Sequence, residues 1–287
     1  MEFIAHGGVK VSDNLKTLIS LALSEDLAGG VDVTSEATIP ANQLSTALLV
    51  TRAAGVIAGI EAAIEVFHAV GITKVEAIVT DGAEVPAGTV ILKATGNTRQ
   101  LLLAERTALN FLTHLSGIAT ETKRWVDLVS GTHCKIRDTR KTTPGWRLLE
   151  KAAVRAGGGA NHRLSLSDAA LVKDNHIVAA GGVREAFELV RQGNPTLPIE
   201  VEVDTLAQLK VVLDAKPDLV LLDNMTPALC REAVEIVAGR AKLEASGGIT
   251  FDNALEYAQS GVDYLAIGAL THSAKVLDIG LDLVMGS

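Results

Sequence analysis

Cations, carboxylates and glycines recur in this sequence at intervals that suit an anion-binding site. "DTRKTTPGWR" (residues 138–147) packs three cations, three threonines, a proline and a glycine into ten residues of an otherwise acidic chain. Further on, "NHR" supplies His162 and Arg163, and "VKDNH" supplies Lys173 and His176. Arginine binds carboxylate or phosphate bidentately, and lysine supplies a mobile point charge. Arg140, Lys141, Arg163 and Lys173 would repel one another unless an anion sat among them. The plainer account is a solvated surface, partly neutralised by Asp138, Asp168 and Asp174. It suits Arg147 and Arg155, which fall in the helix-like "GWRLLEKAAVRAG". His162 reads equally as a ligand contact or a hydrogen-bonded loop residue, and His176 as structural.

Acidic and glycine-rich positions follow. Glu202 and Asp223 end two aliphatic runs, "PIEVEVD" and "DLVLLD". Such carboxylates could hold a divalent cation, contact ribose hydroxyls or steady a developing positive charge. They could also be helix N-caps. Asp204 and Asn224 are the better cap candidates, which leaves Glu202 and Asp223 for chemistry. "SGGI" (Ser246, Gly247, Gly248) and "IGAL" (Gly268, Ala269, Leu270) read as strand-to-helix turns. Glycine there lets backbone N–H groups approach a phosphate, or simply permits a tight turn.

The elements that must position these residues form a regular series. From about residue 133, short aliphatic strands are expected at "CKIRD", "AALVKD", "PIEVEVD", "DLVLLD", "AKLEAS" and "VDYLAIG", with helix-period segments after several of them. Glu202, Asp223, Ser246 and Gly268 follow one another at spacings of 21, 23 and 22 residues. Repeating βα units of that length imply a parallel sheet, which binds ligands beyond the C-terminal strand ends. The segment is too short for the ~200 residues of eight units, so an incomplete α/β barrel of roughly six strands is expected.

Residues 1–115 mix helix and strand without a steady repeat. Helices are expected near residues 13–28 and 60–70, and from Arg99. Extended segments are expected at residues 44–52, "TKVEAIVT" and "TVILKATG". This part reads as an α+β sandwich domain, and residues 116–287 as the barrel domain. The extreme C-terminus is free to pack back on the first domain. Arg106, beside Glu105 in the long helical pattern, reads by default as half of a surface ion pair.

Composition narrows the function classes. The chain has 287 residues, 48% hydrophobic and 3% aromatic, with net charge −8. The aliphatic bias suits buried parallel strands. An acidic chain without a basic block argues against a nucleic-acid partner. No apolar run is long enough for a membrane span. Cys134 and Cys230 lack metal-like spacing and read as buried thiols of a reducing compartment. The N-terminus lacks a secretory pattern, and a cytoplasmic protein is expected.

Taken together, "DTRKTTPGWRLLEKAAVRAGGGANHRLSLSDAALVKDNH" resembles the signature of the quinolinate phosphoribosyltransferase family. The likeness continues through "ALSEDLAGGVDVTSEATIP", "ERTALNFLTHLSGIAT", "EVEVDT", "LLDNM", "EASGGI" and "DYLAIGALTHS". A related branch, associated with molybdenum transport, shares the Thr-Arg-Lys and triple-glycine motifs, but the intact "VKDNH" and "NHR" favour the quinolinate enzyme. Trp146 stands where the family often has leucine, and Ala160 where a polar residue is frequent. Neither is a motif cation.

The resemblance implies transfer of phosphoribose from phosphoribosyl pyrophosphate to quinolinate with loss of carbon dioxide, in de novo NAD synthesis. It implies magnesium and a homodimer or higher homo-oligomer, with Arg106 reaching across the interface and so displacing the ion-pair reading. By motif, Arg140, Lys141, His162, Arg163 and Lys173 would line a quinolinate pocket, with Thr139 beside them. Glu202 and Asp223 would face ribose and a metal shared with the substrate pyrophosphate. Lys141, Glu202 and Asp223 would be catalytic. Ser246, Gly247, Gly248 and Gly268 to Leu270 would hold the 5′-phosphate. Two other classes fit the same residues less well. One is a Schiff-base aldolase using Lys173, and the other is a non-catalytic phosphosugar-binding protein.

Overall fold

Runs rich in Val, Ile and Leu become strands, and the helix-period segments between them become helices. The computed structural model describes residues 11–285. In chain order they form α1 (Val11–Leu27), α2 (Val33–Thr38), β1 (Leu44–Thr51), β2 (Gly55–Val56), α3 (Ile60–Ala69), β3 (Lys74–Ala77), β4 (Glu84–Val85), β5 (Val90–Asn97) and α4 (Thr98–Leu128). Then come β6 (Lys135–Arg137), α5 (Arg147–Ala156), β7 (Ala170–Val172), α6 (Asp174–Ala180), α7 (Val183–Gly193), β8 (Ile199–Val203) and α8 (Leu206–Leu213). The chain ends with β9 (Leu219–Asp223), α9 (Pro227–Val237), β10 (Lys242–Ser246), α10 (Ala254–Gln259), β11 (Tyr264–Ala266), α11 (Ala269–His272) and β12 (Ile279–Met285).

Among the described residues, one compact unit comprises 11–123, 142–158 and 271–285. Its four-stranded antiparallel sheet has the order β12-β1-β5-β3, and β2 and β4 form a separate ribbon. Helix α3 buries the apolar face Ile60, Ala63, Val66 and Phe67, the periodicity of an amphipathic helix. The C-terminal strand β12 pairs with β1 over its whole length, from Thr51 opposite Ile279 to Ser45 opposite Met285. On α4, a Cβ at Gly117 would strike the backbone of Lys275 and Val276. Glycine there permits the close approach.

The other unit comprises 124–141 and 159–270. Its six-stranded parallel sheet has the order β6-β11-β10-β9-β8-β7. Arg140, after edge strand β6, and Lys173, after edge strand β7, line one cavity, so the sheet curls into a barrel left open between β6 and β7. Val201, Val203, Val220, Leu222 and Leu265 are fully buried. Helices α7, α8 and α10 pack against β7, β8 and β11. Alternation then sends Glu200 and Glu202 of β8 to the opposite face from Val201 and Val203.

Several expectations are revised. Thr205 and Thr226, not Asp204 and Asn224, cap the helices after β8 and β9. Thr205 forms a reciprocal box with Gln208, and Pro227 occupies the first turn of α9, which fixes where each helix begins. Asn224 adopts left-handed backbone (φ 51) and donates from Nδ2 to Asp223 at 2.7 Å. The expected strand "TKVEAIVT" contracts to Lys74–Ala77. Arg106 is exposed on α4 and forms no ion pair with Glu105 among the described residues. Burial pushes the Cys134 and Cys230 thiols up to about 12 and about 11, so neither is a reactive thiolate. No described helix is long and apolar enough to cross a membrane.

Candidate active site at the barrel rim

Each strand delivers its last residues to the same rim. Lys173 follows β7, Glu202 lies near the end of β8, and Asp223 and Ser246 end β9 and β10 opposite each other in register. Thr139, Arg140 and Lys141 leave β6. With His162 and Arg163, these residues line one cavity of about 470 Å³. Leu171, Leu221, Glu244 and Ala266 complete its lining. Gly247, Gly248 and Gly268 occupy the turns that follow β10 and β11, Ala269 and Leu270 open α11, and none of the five is part of that lining. Gly247 has φ +85, and a Cβ there would strike the Asn224 side chain. Two separate constraints therefore require glycine at this turn.

Carboxylates hold the loop that carries His162 and Arg163. Buried Asp138 accepts His162 N–H at 2.8 Å and Asn161 Nδ2 at 2.6 Å. Asp168 accepts Leu164 N–H at 2.6 Å and Ser165 N–H at 2.9 Å. Burial opposes its ionisation, but these donors prevail and hold Asp168 below the usual carboxylate range. Arg163 is 6% exposed and donates to Ala169 O at 3.1 Å. Burial, then repulsion from Arg140, pulls its guanidinium below the ordinary range, against the attraction of Glu200 and Asp168. An anionic ligand between the two arginines would relieve that repulsion.

Lys173 Nζ lies 3.3 Å from Glu202. Its backbone N–H donates to His176 Nδ1 at 3.0 Å, so His176 shapes the turn. Burial raises the Glu202 carboxyl above its usual range; Lys173 opposes this, and Asp223 and Asp174 add to it. Glu202 and Asp223 are adjacent hard-oxygen donors whose mutual repulsion a magnesium ion would relieve, so the pair fits that cation.

Sequence reading missed the layer beneath. Arg137, at the end of β6, is 2% exposed and pairs with Glu244. Its guanidinium also stacks 4.5 Å from the Tyr264 ring centroid. His162, Glu200 and Glu244 bring their ligand atoms within 4.8 Å of one another, a spacing a metal could use. The hydrogen bonds place a proton there instead. Arg163 N–H donates to His162 Nδ1 at 2.7 Å, so Nδ1 is an acceptor and the ring proton is on Nε2. Nε2 then lies 2.9 Å from Glu200 Oε2, within reach of that acceptor. A metal on Nε2 would require Nδ1 to carry the proton, and its partner can only donate. Burial pushes Glu200 up to about 7, against the pull of Arg137, Arg163 and Lys173. The signal for this layer was present in the sequence. Glu200 and Glu244 stand two residues before Glu202 and Ser246, on the same strand face.

Comparisons with known proteins bear on the whole chain. A profile of the quinolinate phosphoribosyl transferase C-terminal domain matches residues 118–282, and that of the N-terminal domain matches residues 32–116. The chain is 51% identical over 278 residues to nicotinate-nucleotide pyrophosphorylase [carboxylating] of Mycobacterium leprae, covering 94% of this chain and 98% of that one. Its fold resembles NadC from Streptococcus pyogenes, with TM-score 0.92, 37% identity, and 98% and 100% of the two chains covered. The nicotinate-nucleotide pyrophosphorylase from Francisella tularensis is similar to the same degree, with TM-score 0.92, 37% identity and 99% of each chain covered.

Proposed function

This chain belongs to the quinolinate phosphoribosyltransferase family, and we propose that the rim cavity is where its reaction occurs. The activity is phosphoribosyl transfer to quinolinate with decarboxylation, consistent with NAD biosynthesis. The observation that carries the assignment of the site is the convergence of Arg140, Lys141, Arg163 and Lys173 on one cavity beside Glu202 and Asp223.

The chemistry follows from these charges. The adjacent carboxylates of quinolinate are held among the cations, with Thr139 and His162 beside them. Ser246, Gly247, Gly248, Gly268, Ala269 and Leu270 hold the 5′-phosphate of phosphoribosyl pyrophosphate through backbone N–H groups and the Ser246 hydroxyl. The C1′–O bond to pyrophosphate breaks and the ribosyl carbon turns oxocarbenium-like. Glu202 and Asp223 stabilise that charge, and Lys141 meets the departing oxygen. The quinolinate nitrogen then bonds to C1′. The resulting pyridinium draws in the electron pair of the adjacent C–C bond, carbon dioxide leaves, and the ring carbon takes a proton from solvent. Magnesium bound with the pyrophosphate by Glu202 and Asp223 would neutralise charge on the leaving group.

The protein works as a homodimer or larger homo-oligomer, with Arg106 supplied to each cavity by a second copy, and in the cytoplasm. Exposed Arg106, and two buried free thiols suited to a reducing compartment, support these assignments. The two family profiles meet between residues 116 and 118, which supports a domain division near residue 115.

Incubation with phosphoribosyl pyrophosphate and quinolinate should yield nicotinate mononucleotide and carbon dioxide in equal amounts. Chelation should abolish turnover, and magnesium should restore it. Turnover of nicotinate in place of quinolinate would overturn the substrate assignment, and full activity in chelator would overturn the metal. For the shared site, Arg106→Ala and Lys141→Ala chains should each be inactive. Random reassociation of the two should restore about a quarter of the native sites. No recovery on mixing would rule out an Arg106 that crosses subunits.

A further inference from the structure

Glu200 does not line the cavity, yet it holds a residue that does. It is 3% exposed and lies two residues below Glu202 on β8. Three contacts hold His162: its own N–H donates to Asp138 (2.8 Å), Nδ1 accepts the Arg163 N–H (2.7 Å), and Nε2 lies 2.9 Å from Glu200 Oε2. The Arg163 backbone is therefore tied directly to the imidazole, and Glu200 sets the ring's angle from beneath. Glu244 Oε1 lies 3.5 Å from the same Nε2, too far to replace that bond. Both ring nitrogens face protein partners, which leaves the ring as a strut.

We infer that Glu200 is a positioning residue for the pyridine dicarboxylate. By accepting the His162 Nε2–H, it fixes the His162–Arg163 peptide so that the Arg163 guanidinium faces the substrate. This rests on the reading of the cavity as the quinolinate site. Without the acceptor, the ring is free to turn and the Arg163 N–H loses its partner. Arg163 would then sample several positions, and productive binding would weaken. A glutamine keeps the acceptor, because its amide carbonyl can take the same proton.

Glu200→Ala should raise the quinolinate KM ~10-fold or more, as expected for loss of a buried hydrogen bond. The phosphoribosyl pyrophosphate KM should change less than about twofold, and Glu200→Gln should stay within about threefold of native for both substrates. A lowered melting temperature with an unchanged quinolinate KM would overturn the proposal, as would Glu200→Gln impaired equally with Glu200→Ala. The imidazole 15N shifts of the native chain give a test independent of activity. They should report His162 protonated on Nε2 alone, and a proton on Nδ1 would overturn the proposal. Should Glu200→Ala fail to fold, that measurement decides. If the native chain makes no product from quinolinate, the substrate reading falls and takes this role with it. If product forms and the variants match native, only the role of Glu200 falls.

Discussion

Replacing Arg137 with methionine is expected to cost about 3–5 kcal/mol of stability, because it leaves a buried carboxylate without its ion-pair partner. Arg137 and Glu244 are 2% and 0% exposed, and each is the other's principal compensation. The Tyr264 ring over the guanidinium and the Arg137 bond to Asn161 O at 3.3 Å add to the loss. The Glu244 carboxyl is already held above its usual range by burial and by Glu200 nearby. Removing its cation drives it further toward the protonated form. A melting temperature lower by roughly 10 °C should result. The double variant Arg137→Met/Glu244→Met removes both charges and should recover most of the loss, since apolar groups of similar volume can replace a buried pair. Melting curves of the two single variants and the double variant complete the cycle. Additive losses would mean that the pair is not coupled.

Arg163→Ala is expected to raise the quinolinate KM roughly a hundredfold, the effect of losing one close charge pair worth about 3 kcal/mol. One guanidinium nitrogen is committed to Ala169 O, and Nε is buried without a hydrogen-bond partner among the described residues. The fork is thus anchored at one corner, with donors left for a planar carboxylate. Arg163→Lys should recover only part of the affinity, because an ammonium cannot both hold Ala169 O and grip two oxygens. The loss should fall on quinolinate alone. An equal rise in the phosphoribosyl pyrophosphate KM, measured in the same steady-state experiment, would mean that Arg163 faces the other substrate.

The parallel sheet was legible because its strands are short aliphatic runs that end in polar residues at near-constant spacing. Glu202, Asp223 and Ser246 stand at or near the ends of β8, β9 and β10. Nine of the expected residues share one cavity because parallel strands bring their C-terminal ends to a common rim. Helix starts were less legible. Asp204 and Thr205 are both good caps, and the choice fell to Thr205 through its reciprocal bond with Gln208. The interior layer went unread for a different reason. Arg137, Glu200 and Glu244 look like the solvent side of half-buried strands, since charged residues are seldom fully buried. Period two put them on the inward strand face, in the layer beneath the rim residues, and mutual pairing made burial tolerable.

The pairing of β12 with β1 bears on how the chain is made. Arg52, just after β1, bonds Asp282 of β12 across a separation of 230 residues, with one nitrogen–oxygen distance of 3.1 Å. At a synthesis rate of ~5–20 residues per second, β1 leaves the ribosome roughly 10–50 seconds before its outer neighbour exists. Throughout that interval one margin of the first sheet carries unpaired backbone N–H and C=O groups, ready to capture another extended chain. Completion of the N-terminal sheet therefore waits for the synthesis of residues 279–285, and a ribosome that stalls before them leaves a chain with an open, adhesive edge.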